Sequence, residues 1–174
     1  MKKLVKIKIM KRIIAGNWKM NPNTADKAKI LFKKVSQIRT KKAEIIIAPP
    51  FVYLPLLKSK KIKLAAQNVF LGEKGAYTGE ISPLMLKSLG VNYAIIGHSE
   101  RRWKINEDDE LINKKVKAAL KSGLKVILAI GEKERDGEEF WKFLKNQIKS
   151  DLRGVSKRLA KNIIIAYEPV WAIS

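Results

Sequence analysis

Short runs of β-branched and aliphatic residues alternate with stretches whose apolar positions recur every three or four residues, from Ile13 to Tyr167. The first pattern predicts strands and the second amphipathic helices. Ile13 to Trp18 reads as a buried strand. The helix after it is capped by Thr24 and carries Ala28, Leu31, Phe32, Val35 and Ile38 on one face. Glu44 to Ala48 is a second strand, stopped by Pro49-Pro50, with a short apolar helix running on toward Lys58. Ile62 to Ala66 is a third, followed by the long glycine-containing loop QNVFLGEKGAYTGE.

Ser82-Pro83 marks a helix start, with serine as cap and proline at the first helical position, and Gly90 ends it. Val91 to Ile96 is strand four. Asn106 is expected to open a helix with Glu107, Asp108 and Asp109 in its first turn, Ile112, Val116, Ala119 and Leu120 facing inward, and Gly123 at its end. Leu124 to Ile130 is strand five, a helical region from about Gly137 to Ala160 breaks near Gly154, and Ile163 to Tyr167 is strand six.

Strict alternation of strand and helix implies a parallel sheet covered by helices. Periodicity does not separate an open doubly wound sheet from a (β/α)₈ barrel. The turn after strand one, GNWKMN, lacks the glycine fingerprint of dinucleotide-binding sheets, which favours the barrel.

Composition narrows the chemistry. There is no cysteine and one histidine, which removes thiolate nucleophiles, disulfides and histidine-rich metal centres and leaves no metal site to expect. The net charge of +21 raises nucleic acid as a partner, yet only seven of the 37 basic residues are arginine and the lysines are scattered. Phosphate and base readout favours clustered guanidinium forks, so no nucleic-acid partner is expected. MKKLVKIKI has no continuous apolar run and reads as no leader peptide, and no stretch approaches a membrane span. The expectation is a cytoplasmic protein with no membrane partner.

The polar residues able to do chemistry fall at strand ends: Asn17 and Lys19 after strand one, Gln67 and Asn68 after strand three, His98 and Glu100 after strand four, Glu168 after strand six. In a barrel those ends share one face, where active sites lie. Lys19 supplies positive charge for an anion. His98 stands where a short helix begins, and the positive end of that helix favours a neutral, hydrogen-bond-donating imidazole. Glu168, between IIIAY and PVW, reads as a partly desolvated base. Each residue alone is unremarkable, since a lysine after a strand is ordinarily a solvated charge. Their conjunction suits proton abstraction beside a carbonyl. Arg101 and Arg102 read as structural partners of Glu100 or other nearby acids, and Trp103, Trp141 and Trp171 as packing residues.

AGNWKMN (15–21), APPFVYL (48–54), AAQNV (65–69), GAYTGEIS (75–82), YAIIGHSERR (93–102), ILAIGE (127–132) and AYEPVWAI (166–173) together resemble the triosephosphate isomerase family, in order and at its spacing. The resemblance implies a TIM (β/α)₈ barrel and interconversion of dihydroxyacetone phosphate and D-glyceraldehyde 3-phosphate in glycolysis and gluconeogenesis. It implies no cofactor. Its residue roles are Asn17 and Lys19 binding substrate, His98 as electrophile, Glu168 as base, Glu100 as a supporting acid near Lys19, and Ser99 on the phosphate-side turn. Thr78 falls in the loop that in this family reaches a neighbouring subunit of a homodimer. On this reading residues 10–174 are a partial barrel, truncated after strand six, with 1–9 an extension before Met10. The chain on its own is then expected to be poorly soluble and strongly impaired. The alternative is a non-catalytic half-barrel remnant or module that pairs with another chain.

Overall fold

The computed structural model describes residues 12–135 and 139–173. The expected extension at 1–9, the start at Met10 and the helix start at Gly137 lie outside these residues. Six strands, β1 (Arg12–Asn17), β2 (Ala43–Ala48), β3 (Ile62–Ala66), β4 (Tyr93–Ile96), β5 (Lys125–Ile130) and β6 (Ile163–Tyr167), form one sheet in chain order. Every neighbouring pair is parallel. Between them run α1 (Ala25–Ser36), a 3₁₀ turn (Phe51–Leu56), α2 (Pro83–Ser88), α3 (Ser99–Lys104), α4 (Asp109–Lys121), α5 (Glu139–Asp151) and α6 (Lys157–Ala160). A second 3₁₀ turn, Val170–Ala172, follows β6. Among the described residues no helix is long and apolar enough to cross a membrane.

Alternation along each strand sorts side chains onto two faces. One set, including Ile45, Ile47, Leu64, Ile96, Val126 and Leu128, packs outward against Phe32, Leu86, Ile112, Val116 and Leu120 of the helices. The other set, Ile46, Ala48, Ala65, Tyr93, Ile95 and Ile127, packs inward, with Ile164 and Ala166 of β6 against it. A single cavity of about 150 Å³ is lined by Ala15 of β1 and Ala166 of β6 as well as by the strands between. First and last strands therefore face one interior, and the sheet is curled as an incomplete barrel.

The helix signals hold where capping chemistry decides them. Thr24 and Ser82 cap α1 and α2 through side-chain oxygens, and Ser156, which the sequence did not single out, caps α6 in the same way. Gly90, Gly123 and Gly154 all adopt positive φ just past helix ends. Four expectations differ. Helix α4 starts one turn later than Asn106: Asp108 is its cap, because Asn106 takes φ 58° and Glu107 turns inward to Lys115 and Arg101. Ile38 lies beyond α1, and it and Leu31 are exposed. Strand β1 is exposed over Arg12–Ala15 rather than buried, since no strand pairs with its outer edge among the described residues. Trp103, Trp141 and Trp171 are 43%, 67% and 50% exposed, so none is a core residue.

Arg102 ties three helices together from inside the fold. Its guanidinium donates to Asp109 Oδ1 on α4 and Asp151 Oδ2 on α5, both at 2.6 Å. Asp151 is fully buried, and its other carboxylate oxygen finds no partner among the described residues. Burial pushes the Asp151 carboxyl up to about 6, and neighbouring Asp109 adds to this, against the pull of Arg102. The unfolded chain releases that proton near 3.8, so the folded state holds it more tightly. This group's stabilisation is then complete below the lower value and lost as pH rises through about 6. We expect the stability of the wild-type chain relative to Asp151→Asn to fall by about 3 kcal/mol across that window, at roughly 1.4 kcal/mol per pH unit. Urea unfolding of both proteins at several pH values checks this, and parallel pH curves would refute it.

Candidate active site

The carboxyl ends of the strands open on one side of the curled sheet. Asn17 from β1, His98 after β4 and Glu168 after β6 all line the interior cavity, whose floor is made small by Ala15, Ala48, Ala65, Ala129 and Ala166. His98 is buried to 9% exposure and serves as the N-cap of α3. Its Nδ1 accepts the Glu100 backbone N–H at 3.2 Å. An imidazole accepting at Nδ1 carries its proton on Nε2, and Nε2 points to Glu168 Oε2, 3.4 Å away.

Glu168 is held from two sides. Its Oε1 accepts the Ser99 backbone N–H at 2.6 Å, at the first turn of α3. Its own backbone N–H donates to Ile130 O at 2.8 Å. Gly131 permits this approach, because a Cβ there would sit 2.3 Å from the Glu168 carbonyl oxygen.

Lys19 takes φ 52°, in the left-handed region that costs a non-glycine residue of order 1 kcal/mol or more. The conformation is held from both sides of the residue. Its N–H donates to Asn17 Oδ1 at 2.9 Å, and its carbonyl accepts Gln67 Nε2 at 2.8 Å. Gln67 also donates to Ala48 O at 2.8 Å, joining the ends of β2 and β3 to the lysine. The Lys19 ammonium lies 2.9 Å from Glu100 Oε1, and Glu100 Oε2 lies 3.6 Å from His98 Nδ1. The Lys19 hydrogen bond is the main cause holding the Glu100 carboxyl below its ordinary range, against partial desolvation and with the charges of Lys19 and Lys104 adding to it.

Five of the expected site residues, Asn17, Lys19, His98, Glu100 and Glu168, thus form one connected group, joined to the Ser99 backbone. Thr78 is not among them. It is exposed on the loop after β3, where Phe70 stacks on Tyr77 with ring centroids 4.6 Å apart. Arg101 and Arg102 pair with Glu107, Asp109 and Asp151, as structural partners and not with Glu100.

Two residues around the site had no role assigned from sequence. Gln67 was visible as a polar residue closing an alanine-rich strand, but its carbonyl acceptors were not. Glu132, buried to 3% exposure, accepts Tyr167 O–H at 2.7 Å and Trp171 Nε1–H at 2.8 Å, while its carbonyl accepts the Val170 N–H at 2.9 Å. Burial pushes this carboxyl up, and the bonds from Trp171 and Tyr167 outweigh it and hold it low. Glu132 thereby anchors the segment on either side of Glu168. Its sequence signal was an acid directly after a buried strand and a glycine.

A family model described as Triosephosphate isomerase matches residues 12–174. The chain belongs to the triosephosphate isomerase family. It is 47% identical over 167 residues to the triosephosphate isomerase of Thermoanaerobacter pseudethanolicus, an alignment covering 92% of this chain and 67% of that protein. The Alkaliphilus metalliredigens triosephosphate isomerase is 47% identical over 169 residues, covering 94% and 68%. That of Clostridium botulinum strain Loch Maree is 46% identical over 167 residues, covering 92% and 67%. The triosephosphate isomerase family thus accounts for the parallel curled sheet, and the matched span covers about two thirds of the length of these relatives.

The Lys19–Glu100 contact is directly testable. Lys19→Met should let the Glu100 carboxyl titrate at higher pH, toward the ordinary carboxylate range, in a carboxylate-detected NMR titration. An unmoved Glu100 would show that Lys19 is not its partner in solution.

Proposed function

We propose that this chain interconverts dihydroxyacetone phosphate and D-glyceraldehyde 3-phosphate, an aldose–ketose isomerisation, through the group around His98. Glu168 takes the proton from the carbon beside the carbonyl and returns it to the neighbouring carbon. The Nε2–H of His98 donates to the carbonyl oxygen as it gains negative charge, and Lys19 and Asn17 bind the substrate, Lys19 countering the phosphate and enediolate charge. The observation that carries this reading is the 3.4 Å approach of His98 Nε2 to Glu168 Oε2 at the mouth of one cavity. A donor and a base so close can address the carbonyl oxygen and the adjacent carbon of a single small substrate.

The bond from Ser99 N–H to Glu168 defines a resting position for the base. Glu168 must exchange that amide for substrate before it can take a proton, and the segment anchored by Glu132 carries it. Among the described residues, Lys19 and the turn at Ser99 are the groups that meet the phosphate. The family reading also brings a cytoplasmic homodimer in which Thr78 approaches the neighbouring subunit's site.

A second reading, a half-barrel that pairs with another chain, is favoured by the open edges. Ile14 on β1 is 58% exposed, and Ile165 and Tyr167 on β6 are 43% and 47% exposed. Unpaired apolar edges of this kind invite strand addition.

A coupled assay of triose phosphate interconversion tests the main reading. The wild-type chain should show turnover above background, and Glu168→Gln should lower it by about 10²–10⁴-fold. An equal rate in Glu168→Gln, or no turnover by the wild-type chain, would contradict it.

A further inference from the structure

We propose that Arg102 is the positioning residue for His98, acting as a clamp on the peptide that joins Gly97 to His98. Besides its two carboxylates, the guanidinium donates through Nε to Gly97 O at 2.7 Å and through Nη2 to Ala129 O at 3.1 Å. Gly97 is the residue immediately before the imidazole, and it takes φ +75°. A Cβ at that position would stand 2.7 Å from Arg102 Nη2 and 2.9 Å from Ala129 O. Glycine is required there by the backbone twist and equally by the space the guanidinium occupies.

The consequence for His98 follows along the chain. The Gly97–His98 peptide sets the direction in which His98 enters the cap of α3. That entry decides whether its Nδ1 meets the Glu100 N–H at 3.2 Å. The Glu100 bond in turn keeps the proton on Nε2, facing Glu168. Arg102 itself is 8% exposed and has no place in the cavity lining, so it does not touch substrate. The rigid, planar fork matters, because one group must reach two carbonyls and two carboxylates on β5, α4, α5 and the turn after β4. A lysine has a single nitrogen and cannot hold all four.

This inference rests on the reading of His98 as the site's hydrogen-bond donor, but its test needs no turnover. The chain has one histidine, so long-range ¹H–¹⁵N correlation reports the His98 tautomer without assignment ambiguity. In the full wild-type chain the two ring nitrogens should be widely split, with the proton on Nε2. In Arg102→Gln the splitting should collapse toward averaged values, and in Arg102→Lys it should shrink to an intermediate value. Asn113→Ala is the control: it removes bonds to the Asp151 and Arg153 carbonyls without touching the guanidinium. It should lower the melting temperature and leave the His98 pattern unchanged. If Arg102→Gln does not fold by circular dichroism, Arg102→Lys decides the matter.

A folded Arg102 variant with the wild-type pattern would overturn the clamp, and so would an equal collapse in Asn113→Ala. An inactive wild-type chain with the split pattern intact would count against the isomerase reading alone.

Discussion

A parallel sheet cannot leave its faces or its direction to chance. Its strands are buried on both sides, so each must be followed by a helix that returns outside the sheet before the next strand begins. Here α-helices make that return between all successive strands but β2 and β3, where the 3₁₀ turn Phe51–Leu56 makes it, and every strand's carboxyl end falls on the same side. Asn17, Lys19, His98 and Glu168 lie far apart in the chain, yet the shared direction collects them at one rim. The curl of the sheet then brings the end of β6 toward the end of β4. Ser99 N–H and Glu168 meet across 69 residues of sequence for that reason.

The same constraint explains which parts were legible from residues alone. Strand and helix periodicities are set by burial, and the six strands were recovered with boundaries shifted by a residue or two. Caps were legible where a hydroxyl chose the start, at Thr24 and Ser82. Asn106 misled because Asn, Glu, Asp and Asp in a row offer several caps, and tertiary pairing of Glu107 with Lys115 and Arg101 selected Asp108. Strand β1 read as buried because its residues are apolar, while its exposure depends on what lies beside it. Polar residues at strand ends pointed to the site, since few solvated charges occur there by chance in one protein. The roles of Gln67, Glu132 and Arg102 were hidden for a common reason. Gln67 and Arg102 act on main-chain carbonyls and Glu132 on the side chains of Tyr167 and Trp171, partners that the fold brings up and that leave no mark in a residue pattern.

Electrostatics is arranged locally against the global charge. The chain carries +21 overall, yet the site is a balanced set: Lys19 against Glu100, an imidazole accepting at Nδ1, and Glu168 on a backbone amide. Long-range attraction of an anion by the surface lysines assists its approach. Chemistry at the rim depends instead on short contacts whose geometry the strand ends and α3 define. Lys19 illustrates the cost, since it is held in a left-handed backbone conformation by Asn17 and Gln67 in order to present its ammonium there.

The central claim is that strand direction and curl place a working base beside a working hydrogen-bond donor. Solvent exchange into substrate tests it most directly, because it detects proton abstraction even where net turnover is slow. Dihydroxyacetone phosphate incubated with the chain in deuterium oxide should acquire a single deuterium at its hydroxymethyl carbon, seen by NMR, and Glu168→Gln should abolish that incorporation. No incorporation into dihydroxyacetone phosphate that binds the chain, or undiminished incorporation with Glu168→Gln, would contradict the account.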